Sequence, residues 1–373
     1  MNKVRSSGKT LRVFALFVAL VVIFGASPVR HHLRALSLLR TLAGAPEQAA
    51  AAAPPHVYDL RLPSGKARAF VPAKDAAGAS ALPIVLVHGI HYRGIDEPRF
   101  TKFAQALTAS GSVVLTPELS DLADYQLRTK SKDDISGAVH YLHDLTGKKV
   151  ALVGVSFGGG LAISTAAEER VAKEVAFVVS VGGHGDVERV SRYLLSGHAP
   201  RPDGSTLDLP SHDYGVAVFS YEHVDDLFAA DDRATATRAL RAWLHEDAAG
   251  AKREASSASA AGRKKLERIF EHDSLALADE LSRVFEAHRE ELRQVSPSTQ
   301  ASRVEAPVFL LHGAGDNVVP PTEAEWLAKE LPNVRSVLVS PALVHVELGK
   351  KDRLVDQWNL VHFMAGVLSG TSA

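Results

Sequence analysis

The sequence predicts an α/β fold: a mostly parallel eight-stranded sheet flanked by helices, with a helical cap insertion and an N-terminal apolar segment. Three observations carry this. Short, continuous apolar runs of strand length alternate with stretches of helical spacing, the mark of a parallel sheet covered on both faces. The stretch 186–303 breaks that alternation with amphipathic helical text alone. An uncharged run, VFALFVALVVIFGASPV (Val13–Val29), stands near the start behind Lys3, Arg5, Lys9 and Arg12.

Each element follows from its residues. The Val13–Val29 run sits at the lower limit of roughly 17–25 residues for a spanning helix. Gly25 and Ser27 offer a cleavage site that Pro28 spoils. Residues 1–29 are therefore expected to stay attached as a signal anchor, with the catalytic part outside the cytoplasm. The alternative is a cleaved signal and a periplasmic or secreted protein. Residues 30–56, ending in LAGAPEQAAAAAPPH, read as a linker. Val57–Leu62 and Ala67–Val71 are strands joined by a turn at Pro63-Ser64-Gly65. PIVLVH (Pro83–His88) is a strand buried on both faces, and Ser112–Thr116 is another. Phe103, Ala104 and Leu107 space a helix between them. Ser131 and Asp134 suggest a capping box opening a helix to about Leu145. VALVGV (Val150–Val155) and VAFVVSV (Val175–Val181) are strands around a helix that starts at Phe157. After the cap, VFLLH (Val308–His312) and VRSVLV (Val334–Val339) complete the eight, and a last helix runs from about Leu354 to Leu368. The folded part thus divides into a first core segment (57–185), the cap (186–303) and a second core segment (304–373).

Composition excludes several classes of function. Formal net charge is −1 over 373 residues, which gives no basic field for nucleic acid. With no cysteine, a thiol nucleophile and thiolate metal sites are ruled out. There is no HExxH, Walker loop or dinucleotide fingerprint, so neither metal nor cofactor is expected. His140 and His143 lie one turn apart on a helix, but spacing suggests no third ligand.

The chemistry concentrates at three places. Gly154-Val155-Ser156-Phe157-Gly158 follows a buried strand and opens a helix, the context in which G-x-S-x-G exposes a serine hydroxyl at the sheet edge. A serine hydroxyl needs a base, and the base needs an acid to fix its tautomer. Asp316 follows the strand VFLLH in HGAGDNVVP, and His345 follows VRSVLV in SPALVHVELG. The chain order Ser156, Asp316, His345 is that of this strand–turn–helix architecture. Backbone N–H groups should hold the oxyanion: that of Phe157, and that of Ile90 in His88-Gly89-Ile90-His91, with His91 as second choice. His88 reads as structural. Asp186, just after the sixth strand, is an alternative acid, and His184 stands near the same edge as a possible lining residue.

With HGIH, GVSFGG, GAGDNVVP and LVHVELG in this order, the chain from Val57 to Ser369 resembles the α/β-hydrolase superfamily. The resemblance implies a serine hydrolase acting on an ester or related acyl bond of a small molecule, without a cofactor. A serine nucleophile argues against the branches that use aspartate. Two alternatives stay open at this stage: an acyltransferase on the same triad, and a catalytically idle binding protein. Substrate identity is not legible. Trp243, Phe270, Leu281 and Phe285 on the apolar stripes of the cap read as core before acyl pocket.

Overall fold

The eight expected strand segments form one sheet. The computed structural model of the chain describes residues 29–43, 54–73, 82–212, 214–345, 347–348 and 353–370. Its strands are β1 (His56–Leu62), β2 (Gly65–Val71), β3 (Ile84–Val87), β4 (Val114–Pro117), β5 (Val150–Val155), β6 (Val175–Val181), β9 (Val308–Gly313) and β10 (Val334–Ser340). Spatial order is β1-β2-β4-β3-β5-β6-β9-β10. The β1/β2 and β2/β4 pairs are antiparallel and every other pair is parallel. Each parallel step needs a crossover, and these crossovers supply the covering helices.

Twelve helices of two turns or more carry labels: α1 (29–42), α2 (Pro98–Ala109), α3 (Lys130–Thr146), α4 (Phe157–Ala166), α5 (Val187–Ser196), α6 (Tyr214–Glu222), α7 (Ala230–Leu244), α8 (Ala248–Ala255), α9 (Ala260–Phe270), α10 (Ser274–Gln294), α11 (Thr322–Glu330) and α12 (Leu354–Gly370). α3, α4 and α11 cover one face of the sheet, where Val85, Leu152, Val178 and Leu310 join their apolar sides. α1, α2 and α12 cover the other, against Ile84, Val153, Val179 and Leu311. α5–α10 form the insertion between β6 and β9, together with a hairpin of β7 (His198–Pro200) and β8 (Thr206–Asp208) that the helical text did not foretell. Helix starts follow local chemistry. Glu97 accepts from the Phe100 N–H at 2.7 Å ahead of Pro98, and Asp186 accepts from the Arg189 N–H at 3.1 Å.

Three expectations need correction. The membrane anchor is not supported: no helix among the described residues is long and apolar enough to cross a membrane. The run from Val13 to Pro28 lies outside the described residues. The first helix after it is α1, about 21 Å long by its rise, well short of a bilayer core, and it carries Arg30, Arg34 and Arg40. The membrane partner and the membrane location fall with the anchor. Second, the first part of the expected linker is α1 itself. Ala35 and Leu38 are buried against the sheet's second face, and the Leu42 carbonyl accepts from Lys102 Nζ at 2.9 Å. Third, Ser131 is not an N-cap. α3 begins at Lys130 with Thr129 ahead of it, so Ser131 is buried in the first turn and Asp134 pairs with Lys130 at 2.6 Å.

Candidate active site

The serine sits where β5 turns into α4. Its φ of 54° and ψ of −134° are outside the allowed regions of an ordinary L-residue, a strain of about 1–3 kcal/mol that the surrounding packing must impose. The turn is possible because its neighbours have no side chains. A Cβ on Gly154 would stand 2.2 Å from the Gly158 carbonyl oxygen, and one on Gly158 would stand 2.3 Å from that of His88. The loop after β3 comes equally close, since a Cβ on Gly89 would lie 2.9 Å from Ser156 Cβ. Ile90, next in that loop, lines the same cavity as Ser156, Phe157 and His345. Phe157 opens α4, so its N–H belongs to the first turn, where helical N–H groups have no acceptor within the helix.

Asp316 and His345 meet. The carboxylate is fully buried beyond β9, and its Oδ2 lies 2.7 Å from His345 Nδ1. A carboxylate only accepts, so Nδ1 carries the hydrogen and Nε2 is left as the basic nitrogen. Oδ1 accepts from the N–H groups of Val318 and Val319, both at 3.0 Å. Burial works against the charge on Asp316, but hydrogen bonds with His312 and His345 outweigh it and hold the carboxyl well below the usual carboxylate range. His345 itself has φ of 51°, in the two-residue connection between β11 (Leu343–Val344) and β12 (Glu347–Leu348). That left-handed backbone fits the tight hairpin and turns the ring back toward Asp316.

The other sequence candidates fall elsewhere. His88 is buried between the Gly89 carbonyl (Nδ1 at 2.8 Å) and the Leu119 N–H (Nε2 at 3.0 Å), so it fastens the β3 loop to the chain after β4. Asp186 caps α5 and faces Arg189 and Ser298, with no bond to His345. His184 does not line the cavity. It is fully buried behind Phe157, ring centroids 5.0 Å apart, with Nε2 on the Val295 carbonyl at 3.1 Å. Burial pushes its pKa down to about 4. His91 lines the cavity mouth and stacks on Tyr92, which stacks on His245 of the insertion at 4.4 Å. His140 Nδ1 lies 2.7 Å from Glu174 Oε2, and His143 Nδ1 lies 2.8 Å from the Lys148 carbonyl.

Sequence reasoning missed several residues. His312, last but one in β9, puts Nε2 2.9 Å from the Val319 carbonyl and 3.3 Å from Asp316 Oδ2, a second ring against the acid. Tyr125 and Tyr214 line the cavity below the insertion, and no motif marks either. Of the four aromatic and aliphatic cap residues, Trp243 lines the cavity. Phe270 stacks on it at 4.6 Å, while Leu281 and Phe285 are buried in the core. One constellation among the described residues could hold a metal ion. His223, Asp226 and His288 each offer a ligand atom within 4.8 Å of the others. They join the end of α6 to α10, and none of them lines the cavity.

The cavity has a volume of about 960 Å³, at the upper end for small-molecule sites. One relative is a pimeloyl-[acyl-carrier protein] methyl ester esterase of Aromatoleum aromaticum, 32% identical over 151 residues. The match covers 39% of this chain and 54% of that protein, so the chain spans about half the length of that relative. Among solved structures, a membrane phospholipase A described as a novel bacterial virulence factor has a TM-score of 0.46 at 16% identity, covering 97% of both chains. A 2-hydroxy-6-oxo-6-phenylhexa-2,4-dienoate hydrolase from Rhodococcus has a TM-score of 0.44 at 14% identity, covering 86% of this chain and all of that one. A family model described as alpha/beta hydrolase fold matches residues 83–343. With that match on the sheet order above, the chain belongs to the alpha/beta hydrolase fold family.

Proposed function

We propose that the protein is a serine hydrolase that cleaves an ester or related acyl bond through Ser156, His345 and Asp316. The observation that carries the reading is the 2.7 Å bond between His345 and a buried Asp316, with both Ser156 and His345 facing one cavity. Ser156 Oγ attacks the acyl carbonyl while His345 Nε2 takes its proton. The N–H groups of Phe157 and Ile90 hold the oxyanion. The tetrahedral centre collapses, the C–O bond breaks, and His345 returns the proton to the leaving alcohol. Water repeats the sequence on the acyl-enzyme and releases the acid. Asp316 keeps its charge throughout and steadies the imidazolium. The cycle needs no cofactor. The family supports hydrolysis; a Ser-His-Asp triad serves amides as well as esters, and the reading of an ester is supported by the esterase relative.

A fluorophosphonate probe tests this directly. It should label the protein at Ser156, and Ser156→Ala should lose both the label and p-nitrophenyl butyrate cleavage by several orders of magnitude, with the melting curve unchanged. Persistent turnover in Ser156→Ala would remove the assignment. An unlabelled but folded protein would make it an idle binding protein.

A further inference from the structure

The cavity does not end at Ser156. It continues along the second face of the sheet, between the strands and the helices that cover them. Val153, Phe177 and Val179 form its floor, and Leu107 of α2, Met364 of α12 and Leu42 of α1 form its roof. All six are apolar. Val178 is fully covered, whereas Phe177, Val179 and Val181 on the opposite face keep 3–8% of their surface accessible.

We propose that this arm is the acyl-chain site, and that the enzyme's substrates carry a long aliphatic acyl group. The proposal rests on the serine-hydrolase reading above. Its occupant follows from continuity: the arm opens at the residues that would bond the carbonyl, and a chain leaving that carbon meets mostly apolar walls, with Lys102, Ser110 and Ser112, on and just after α2, as the polar lining there. Its length follows from the strands. Ala151, at the far end, and Val155, beside the serine, both line the cavity. Four residues of strand separate them, about 13 Å. An extended chain of tetrahedral and trigonal carbons advances about 1.2 Å per bond, as a backbone does. The arm therefore takes roughly ten carbons. The other space, under the insertion, carries Tyr125, His212, Tyr214 and Trp243 and suits the leaving group.

The test uses the full chain and p-nitrophenyl esters of acetate, octanoate and dodecanoate. Selectivity, kcat/KM for dodecanoate over acetate, should be tenfold or more, since about two buried methylenes are worth that factor. Val179→Trp and Met364→Trp fill the arm from opposite walls, and each should lower that ratio at least tenfold. A ratio near one in the unaltered protein overturns the proposal, as does an unchanged ratio in both variants when they melt normally. Where a filled variant fails to fold, binding of the fluorescent fatty acid cis-parinaric acid to Ser156→Ala decides. Saturable binding displaced by dodecanoate supports the arm; no binding overturns it. Binding without fluorophosphonate labelling of the unaltered protein would keep the arm and sink the hydrolase reading. A chain-length preference that arises only after removal of residues 1–28 would assign the space to that segment instead and overturn the proposal.

Discussion

The two faces of the sheet are built from the same kinds of residue and are packed differently. Toward α3 and α4, Val85, Leu152 and Val178 are fully covered. Toward α2 and α12, Leu86 and Val114 are as fully covered, but Val153, Phe177, Val179 and Val181 keep a little surface, and a cavity lies against them. Protein interiors normally close such gaps. At about 24 cal/mol per Å³, an empty apolar void of only a third of the 960 Å³ would cost roughly 8 kcal/mol. That is comparable with the whole stability of an ordinary domain, about 5–15 kcal/mol. Both faces carry a buried apolar core, and the cavity lies within the second. The hollow face is a place where the fold keeps room for something apolar.

The largest effect should come from the edge that both faces share. Asp316→Asn should lower kcat roughly 10⁴-fold, because His345 loses the partner that fixes its tautomer. The loss should be the same for acetate and dodecanoate, since the acid acts on the ring and not on the chain. Asp186→Asn, at the cap of α5, should leave the rate near that of the unaltered enzyme. A loss that depends on chain length would break the division between a rate-setting edge and a selecting face. The reverse ranking of the two aspartates would move the acid to the end of β6.

A smaller effect tests how dry the filled side is. His184 lies there under Phe157, its Nδ1 without a hydrogen-bond partner and its pKa pushed by burial to about 4. The folded state binds a proton less readily than the unfolded chain, whose histidine titrates near 6.5. Its contribution to stability is therefore full above pH 6.5 and is lost as pH falls from 6.5 toward 4. Between pH 8 and pH 5 the loss should be about 2 kcal/mol. Urea denaturation at both values, for the unaltered protein and His184→Leu, isolates it: the variant should lose that much less between them. Equal losses in both would mean that water reaches the ring.

How much of this was readable in the sequence differs between the faces too. Ser156 and Asp316 could be singled out because each follows a continuous apolar run, VALVGV and VFLLH, and His345 because it follows VRSVLV, the last strand of the sheet; the fold then places these strand ends together. His312 was in plain view at the end of VFLLH, but nothing in a single sequence tells which way a strand's last residues point. α1 was hidden by its charges: Arg30, Arg34 and Arg40 suggest a linker, and the buried Ala35 and Leu38 are too short a stripe to outweigh them. The hollow was not legible at all. VAFVVSV reads the same whether its two faces meet tight helices or a gap. The distance at which α2 and α12 stand off is set by how side chains from several elements interdigitate, and that is absent from any one element's periodicity.

The finest test uses two neighbours of the same residue type. Val178 faces the filled side and Val179 the hollow. Valine to isoleucine keeps the β-branched shape and the strand preference, so only the added methyl differs. In Val178→Ile that methyl has no space, and overpacking should cost about 1 kcal/mol or more. In Val179→Ile it enters the cavity and buries apolar surface, so stability should be unchanged or should rise by up to about 0.8 kcal/mol. The two proteins should melt on opposite sides of the unaltered chain, or Val178→Ile alone should melt lower. If both lose stability equally, the second face is as full as the first, and the space that the acyl-chain proposal needs does not exist.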